Sequence, residues 1–305
     1  MASLKEIKGR IASVGSTLKI TSAMKLVASA KLRKAQQAIG NMLPYENHLH
    51  RILVDLMSTT PVTGSELLVS RPVKRVAIVA FSSNSSLCGA FNSNVVRETL
   101  SVINEYRSAG LDDSEIKVYP VGRKVQDAMR KVGFPGGADY SRMAESPNYG
   151  AAAALAQELL NGFTDGVFDK IELVYNHFKS TASQPTTRQV FLPLNLDEGQ
   201  MDLNAGKRPD VVEEEIPRPR NPEDLIVEPS PAELLEVLLP KVIRLRIFTT
   251  LLDSNAAEHA ARTVAMQTAT DNGNDLLEEL TLEYNKGRQQ KITSEILDIV
   301  GGSMQ

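Results

Sequence analysis

Cysteine is almost absent from this chain of 305 residues. Cys88 stands alone, which excludes an internal disulfide and any multi-cysteine metal site and suits a reducing compartment. No run of about 18 apolar residues occurs, the length a membrane-crossing helix needs. The opening stretch MASLKEIKGR lacks the continuous apolar core of a secretory signal, and Glu6 speaks against a transit leader, so no leader is expected. A formal net charge of -3 argues against a dedicated nucleic-acid binder. Phosphate-binding motifs are missing too: no candidate strand is followed by G-x-x-x-x-G-K-[ST] or G-x-G-x-x-G, and no G-x-S-x-G marks a nucleophile. The nearest approach is FSSNSSLCGAFN, residues 81 to 92, a small-residue turn that reads better as a helix cap than as an anion site. His48 and His50 point in different directions on a helix, while His177 and His259 fall in different elements, so no metal site is expected. No catalytic, cofactor-binding or metal-ligating residue is nominated, and the chain is not expected to be an enzyme.

Against these absences stands a strongly organised chain. Residues 1 to 57 carry nine Lys and Arg against three Asp and Glu, a basic segment hidden by the overall balance. Ser3 and Glu6 form a capping box, and Leu4, Ile7, Ile11, Val14, Leu18, Thr21, Lys25, Ala28, Leu32, Ala35, Ile39 and Met42 then alternate three and four apart. This heptad seam predicts a rod on the order of 80 Å long, kinked or interrupted near Pro44. Residues 73 to 195 change period, with strand runs such as VKRVAIVAF and IKVYPVG alternating with helices such as NSNVVRETLSVINEYRSAG. That alternation predicts a Rossmann-like α/β domain with a mostly parallel sheet. Residues 196 to 229 form an acidic, proline-rich linker with little periodicity. SPAE, beginning at Ser230, opens a second long helix that runs to Gly301 and Gly302, with Pro240 as an expected kink and DNGND as a soft spot. In it Ala256, Ala257, Ala260, Ala261, Ala265 and Ala269 allow close approach, while Leu277, Leu280, Tyr284, Ile292, Ile296 and Ile299 supply larger knobs. A domain of about 120 residues has a radius of gyration near 14 Å, too small to cover two such rods. The expected fold is therefore α/β plus a long antiparallel coiled coil, with the N- and C-terminal helices paired and the α/β domain inserted at one end.

Three stretches, IKGRIASVGSTLKITSAMKLVASAKLRKAQ, FSSNSSLCGAFN and RTVAMQTATDNGNDLLEELTLEYNKGRQQKITSEILDIVGG, resemble the gamma chain of the F-type ATP synthase. The resemblance covers the chain apart from the linker. It implies a rotating central stalk that couples proton or sodium flow to ATP synthesis and hydrolysis. Its partners would be the alpha and beta chains, the epsilon chain and the c-subunit ring, at the cytoplasmic side of a bacterial inner membrane. It also implies that Met24 and Lys25 face an acidic loop of a beta chain, that Arg288, Gln289 and Thr293 contact beta and alpha chains nearer the tip, and that Arg262 couples the helices. Leu225, Ile226 and Val227 lie where the family often carries aromatics near the foot. A coiled-coil scaffold with a partner-binding α/β domain is the alternative.

Overall fold

The computed structural model describes residues 3–59, 66–194 and 227–303. Helix α1 spans Leu4–Thr59 and α6 spans Pro231–Ser303. Between them lie β1 Val76–Phe81, α2 Phe91–Ser108, β2 Ile116–Val121, α3 Arg123–Lys131, α4 Ser141–Glu145, α5 Tyr149–Thr164, β3 Lys170–Asn176 and β4 Thr186–Leu192.

Both long helices begin as their sequences dictate. The Ser3 hydroxyl accepts the Glu6 amide at 3.2 Å, and the Ser230 hydroxyl accepts the Glu233 amide at 3.3 Å, with Pro231 in the first turn where its missing donor costs nothing. They run antiparallel: Leu18 meets Gly273, Leu4 meets Gly287, and Thr270 donates to the Thr21 hydroxyl at 2.9 Å. Every residue of the α1 heptad seam from Leu4 to Met42 is buried or half-buried. Neither Pro44 nor Pro240 interrupts its helix. Each proline removes one backbone bond, but Leu49 beyond the first and Leu235, Leu238 and Leu239 before the second are buried, and tertiary packing holds the helix across the gap. The expected soft spot has a packing role, since a Cβ on Gly273 would lie 2.7 Å from the Leu18 Cδ2.

The sheet order is β2-β1-β3-β4, with β1 parallel to β2 and β3, and β4 antiparallel to β3. Strand residues alternate between two covered faces. Val76, Ile78, Ala80, Ile116 and Val118 pack under α2 and α3, while Ala77, Val79, Phe81, Ile171 and Leu173 pack under α5. The second face also receives Leu49, Leu53 and Leu56 of α1 and Leu235 to Leu251 of α6. The two long helices therefore serve two cores, their own seam and the sheet. Among polar side chains, Glu172 is buried in β3 at 1% exposure. It is held by Lys170 at 2.8 Å, Arg188 at 2.6 Å and the Tyr106 hydroxyl at 2.6 Å, and these donors keep its carboxyl below the ordinary range although burial opposes them.

Helix α2 begins without a side-chain cap, although Asn92, Ser93 and Asn94 stand at its start. Ala90 occupies the cap position, with no side-chain hydrogen bond, while Asn92 turns back to accept from the Ser83 amide at 3.0 Å. At the β2–α3 turn Gly122 has φ 101°, and a Cβ there would run into the Ser82 carbonyl. Gly122→Ala is expected to cost more than about 1 kcal/mol, read as a lowered urea midpoint at unchanged slope.

Candidate functional site

An open α/β sheet binds ligands beyond the carboxyl ends of its strands, where neighbouring connections leave in opposite directions. Here that crevice lies between β1 and β3, and α6 fills it. Asp253 of α6 accepts the Phe178 amide at 2.9 Å and lies 2.6 Å from His177 Nδ1, closing the end of β3. Arg262 donates to the Ser86 carbonyl at 2.5 Å and to Glu258 at 2.6 Å, closing the turn after β1. The space left between Phe81, Ser82, Ser254 and Glu258 is about 10 Å³, no more than one water requires. The turn of residues 81 to 92 is thus a docking element. Its Cys88 and Phe91, with Phe178, pack against Leu32 and Ala35 of α1 and Ala256, Ala257 and Ala260 of α6. The small side chains expected to permit close approach are used here to seat the sheet on the coiled coil.

This neck is also where charge is buried. Glu258 and Arg262 lie side by side at 9% and 8% exposure, and burial pushes the Glu258 carboxyl up in spite of the guanidinium beside it. His259, 7% exposed, is driven down to about 4, first by burial and then by Lys31 and Arg262. It is neutral at pH 7. Burial likewise raises the Cys88 thiol, which makes it a packing residue and not a nucleophile. Among the described residues no group of three His, Cys, Asp or Glu could hold a metal, and no helix is long and apolar enough to cross a membrane.

The remaining candidate residues are spread along the rod. Met24 and Lys25 are half-buried on α1, beside the exposed Ile20, Leu26 and Val27 at 60%, 71% and 57%. Those three lie off the seam and turn apolar surface outward. Their only trace in the sequence is that they are apolar residues out of step with the heptad. Arg288, Gln289 and Thr293 are exposed near the end of α6, and the Thr293 hydroxyl is turned inward to the Gln289 carbonyl at 2.9 Å. Antiparallel pairing sets Lys25 near the level of Met266, so the two groups lie about 33 Å apart along the axis at 1.5 Å per residue. Arg262 belongs to the neck and joins neither. Val227 is half-buried against the sheet core, while Leu225 and Ile226 lie outside the described residues, as does most of the 196–229 linker.

Among the described residues, α1 pairs with α6 as far as Gly287, opposite Leu4. Ile292, Ile296 and Ile299, expected as knobs between helices, are instead exposed at 48%, 55% and 72%. They recur at helical spacing on one side of a single helix. The last described turns of α6 form a bare amphipathic tip.

The sequence pattern of the ATP synthase family, described as ATP synthase, matches residues 3–304. The ATP synthase gamma chain of Phocaeicola vulgatus is 54% identical over 304 residues, covering 100% of both chains, and that of Bacteroides fragilis strain YCH46 is likewise 54% identical over full length. A chain from the Euglena gracilis mitochondrial ATP synthase (OSCP, F1 and c-ring, rotational state 3) superposes with a TM-score of 0.62 at 20% identity, covering 99% of this chain and 93% of that one. A chain from the central stalk and c-ring structure of the Tetrahymena thermophila mitochondrial ATP synthase gives 0.53 at 22%, covering 82% and 99%. At these identities the structures establish likeness of fold.

Proposed function

Because this chain belongs to the ATP synthase gamma-chain family and is the non-catalytic rotary central stalk of such a machine, we propose that its three exposed surfaces are used in turn along the rotor. The bare tip of α6 stands inside a ring of alternating alpha and beta chains. The basic, outward-facing apolar side of α1 around Met24 and Lys25 meets an acidic beta-chain loop, and the α/β domain with the nearby foot lies toward the epsilon chain and the c-ring. The subunit is then peripheral, held at the cytoplasmic side of a bacterial inner membrane only through the complex. One observation carries the reading: the rod passes from two helices to one at Gly287 and leaves Ile292, Ile296 and Ile299 uncovered.

The mechanism needs no reactive group in the chain. Catalytic sites of one sequence around a ring differ at a given moment only if something asymmetric stands among them. A rod that is basic on α1, acidic between Asp271 and Glu283 on α6 and single-stranded at its tip presents a different face to each neighbour. A difference of about 1.4 kcal/mol between faces changes an open-to-closed ratio tenfold. Turning the rod carries each site through every state, and because coupling is reciprocal, hydrolysis on the ring turns the rod backwards.

Co-expression with the alpha and beta chains, followed by size exclusion and an ATPase assay, tests this. The intact chain is expected to join a hexamer as one copy and raise sustained turnover, and removal of residues 286–305 to weaken assembly or coupling. A chain that stays alone, or a truncation without effect on turnover, would favour the coiled-coil scaffold.

A further inference from the structure

Where α1 leaves the coiled coil for the face of the sheet, the half-buried Glu46 turns its carboxyl inward. Glu46 Oε1 accepts a long hydrogen bond from the Thr249 hydroxyl at 3.4 Å, while Oε2 is shut off from solvent with no partner. The Thr250 hydroxyl on the adjoining α6 is also buried and unpartnered. Among the described residues, the charged and titratable groups facing Glu46 come from two elements: Arg246 and Asp253 of α6, and Tyr175 of β3. Asp253 is already engaged by the Phe178 amide and His177. An ionised Glu46 would set a second, half-buried carboxylate beside buried Asp253 for one buried guanidinium, Arg246, with His177 at the edge.

We propose that the neck is a proton-operated joint: with its proton Glu46 lets α1, α6 and the end of β3 close as one packed unit, and without it a second carboxylate beside Asp253 loosens the seating of the sheet on the coiled coil. A carboxyl with no hydrogen-bond donor on one oxygen is better accommodated neutral, because the neutral acid loses far less solvation on burial than the anion. Burial pushes Glu46 up to about 7, more than Arg246 and the Thr249 hydroxyl pull it down, and Asp253 adds to the rise. In an opened neck the carboxyl returns toward its ordinary value of 4.5. The closed form therefore holds more protons than the open one between those values. Its advantage is complete at the acid end of that window and is lost as pH rises through about 7. A rotor so built is stiffer at its neck in mildly acidic than in alkaline surroundings.

Hydrogen exchange at the Phe178 amide, which donates to Asp253 across the joint, reads the opening directly. In the complete chain, after correction for intrinsic rate, opening is expected to be about tenfold greater at about pH 8 than at about pH 6, and Glu46→Gln to abolish the difference. An equal change in both proteins, or none in the wild type, overturns the proposal. Should the glutamine variant fail to fold, Thr249→Val keeps the carboxyl and removes its hydroxyl donor. The midpoint of the exchange profile must then move to higher pH, and an unmoved midpoint overturns the proposal equally. Neither measurement needs a partner chain, so its failure is separate from failure of the stalk assignment.

Discussion

Arg262→Ala is expected to be among the most destabilising single changes in the molecule, at roughly 3–5 kcal/mol, because it strands a buried charge. The guanidinium spans the neck, donating to Glu258 of its own helix and to the Ser86 carbonyl of the turn after β1. Alanine removes both bonds and leaves the Glu258 carboxyl, already pushed up by burial, with the weaker pull of Lys31 among the described residues and the opposing charge of Glu145. The carboxyl then escapes the penalty by taking up a proton. Since this raises its folded value further above that of the unfolded chain, the defect should shrink as pH falls from 7 toward the ordinary carboxyl range. Replacing both members of the pair, Glu258→Met with Arg262→Met, should recover most of the loss, since an apolar pair of similar volume avoids two desolvation costs. Denaturant unfolding of the two single variants and the double variant closes the cycle. Additive losses would show that the pair is not coupled.

The second large effect is expected at Leu53. Late in α1, past the coiled coil, it is 0% exposed within the core beneath β1 and β3. Leu53→Ala removes three carbons and leaves a cavity between helix and sheet, at a cost of about 2–5 kcal/mol. Ile20→Ala on the same helix deletes a comparable side chain from a position 60% exposed, and should change the stability of the isolated chain by no more than about 0.5 kcal/mol. Thermal melts of the two variants separate two parts of one helix: its last turns hold the α/β domain, and Ile20 lies on exposed surface that the proposed stalk role would use. Ile20→Ala should show its effect only when alpha and beta chains are present. Equal losses for the two variants would place Ile20 in a core and remove the outward apolar side of α1 from the stalk reading.

Much of this was legible in the sequence, and the reason is local. The capping hydroxyls of Ser3 and Ser230, the heptad from Leu4 to Met42, and the strand runs around Val76 and Ile116 are periodicities of neighbouring residues. Such patterns specify where an element begins, which way it turns and which side it buries. The missing phosphate and nucleophile motifs were equally readable, and α6 in the crevice supplies their structural counterpart.

What only the tertiary structure decided is the choice of neighbour. Asp253 against His177, Arg262 against Ser86 and Glu46 against Thr249 join residues 76 to 203 positions apart, and no spacing along the chain announces them. The same applies to the prolines: Pro44 and Pro240 are helix breakers by local rule, overridden because the turns around them are packed. It applies as well to Ile292, Ile296 and Ile299, whose pattern is that of buried knobs. Their exposure follows from the register that sets Leu4 opposite Gly287, so that no described helix lies beside the final turns of α6. Periodicity determined that these residues share a face; the relative lengths and register of two helices separated by the whole α/β domain determined that no described residue covers it.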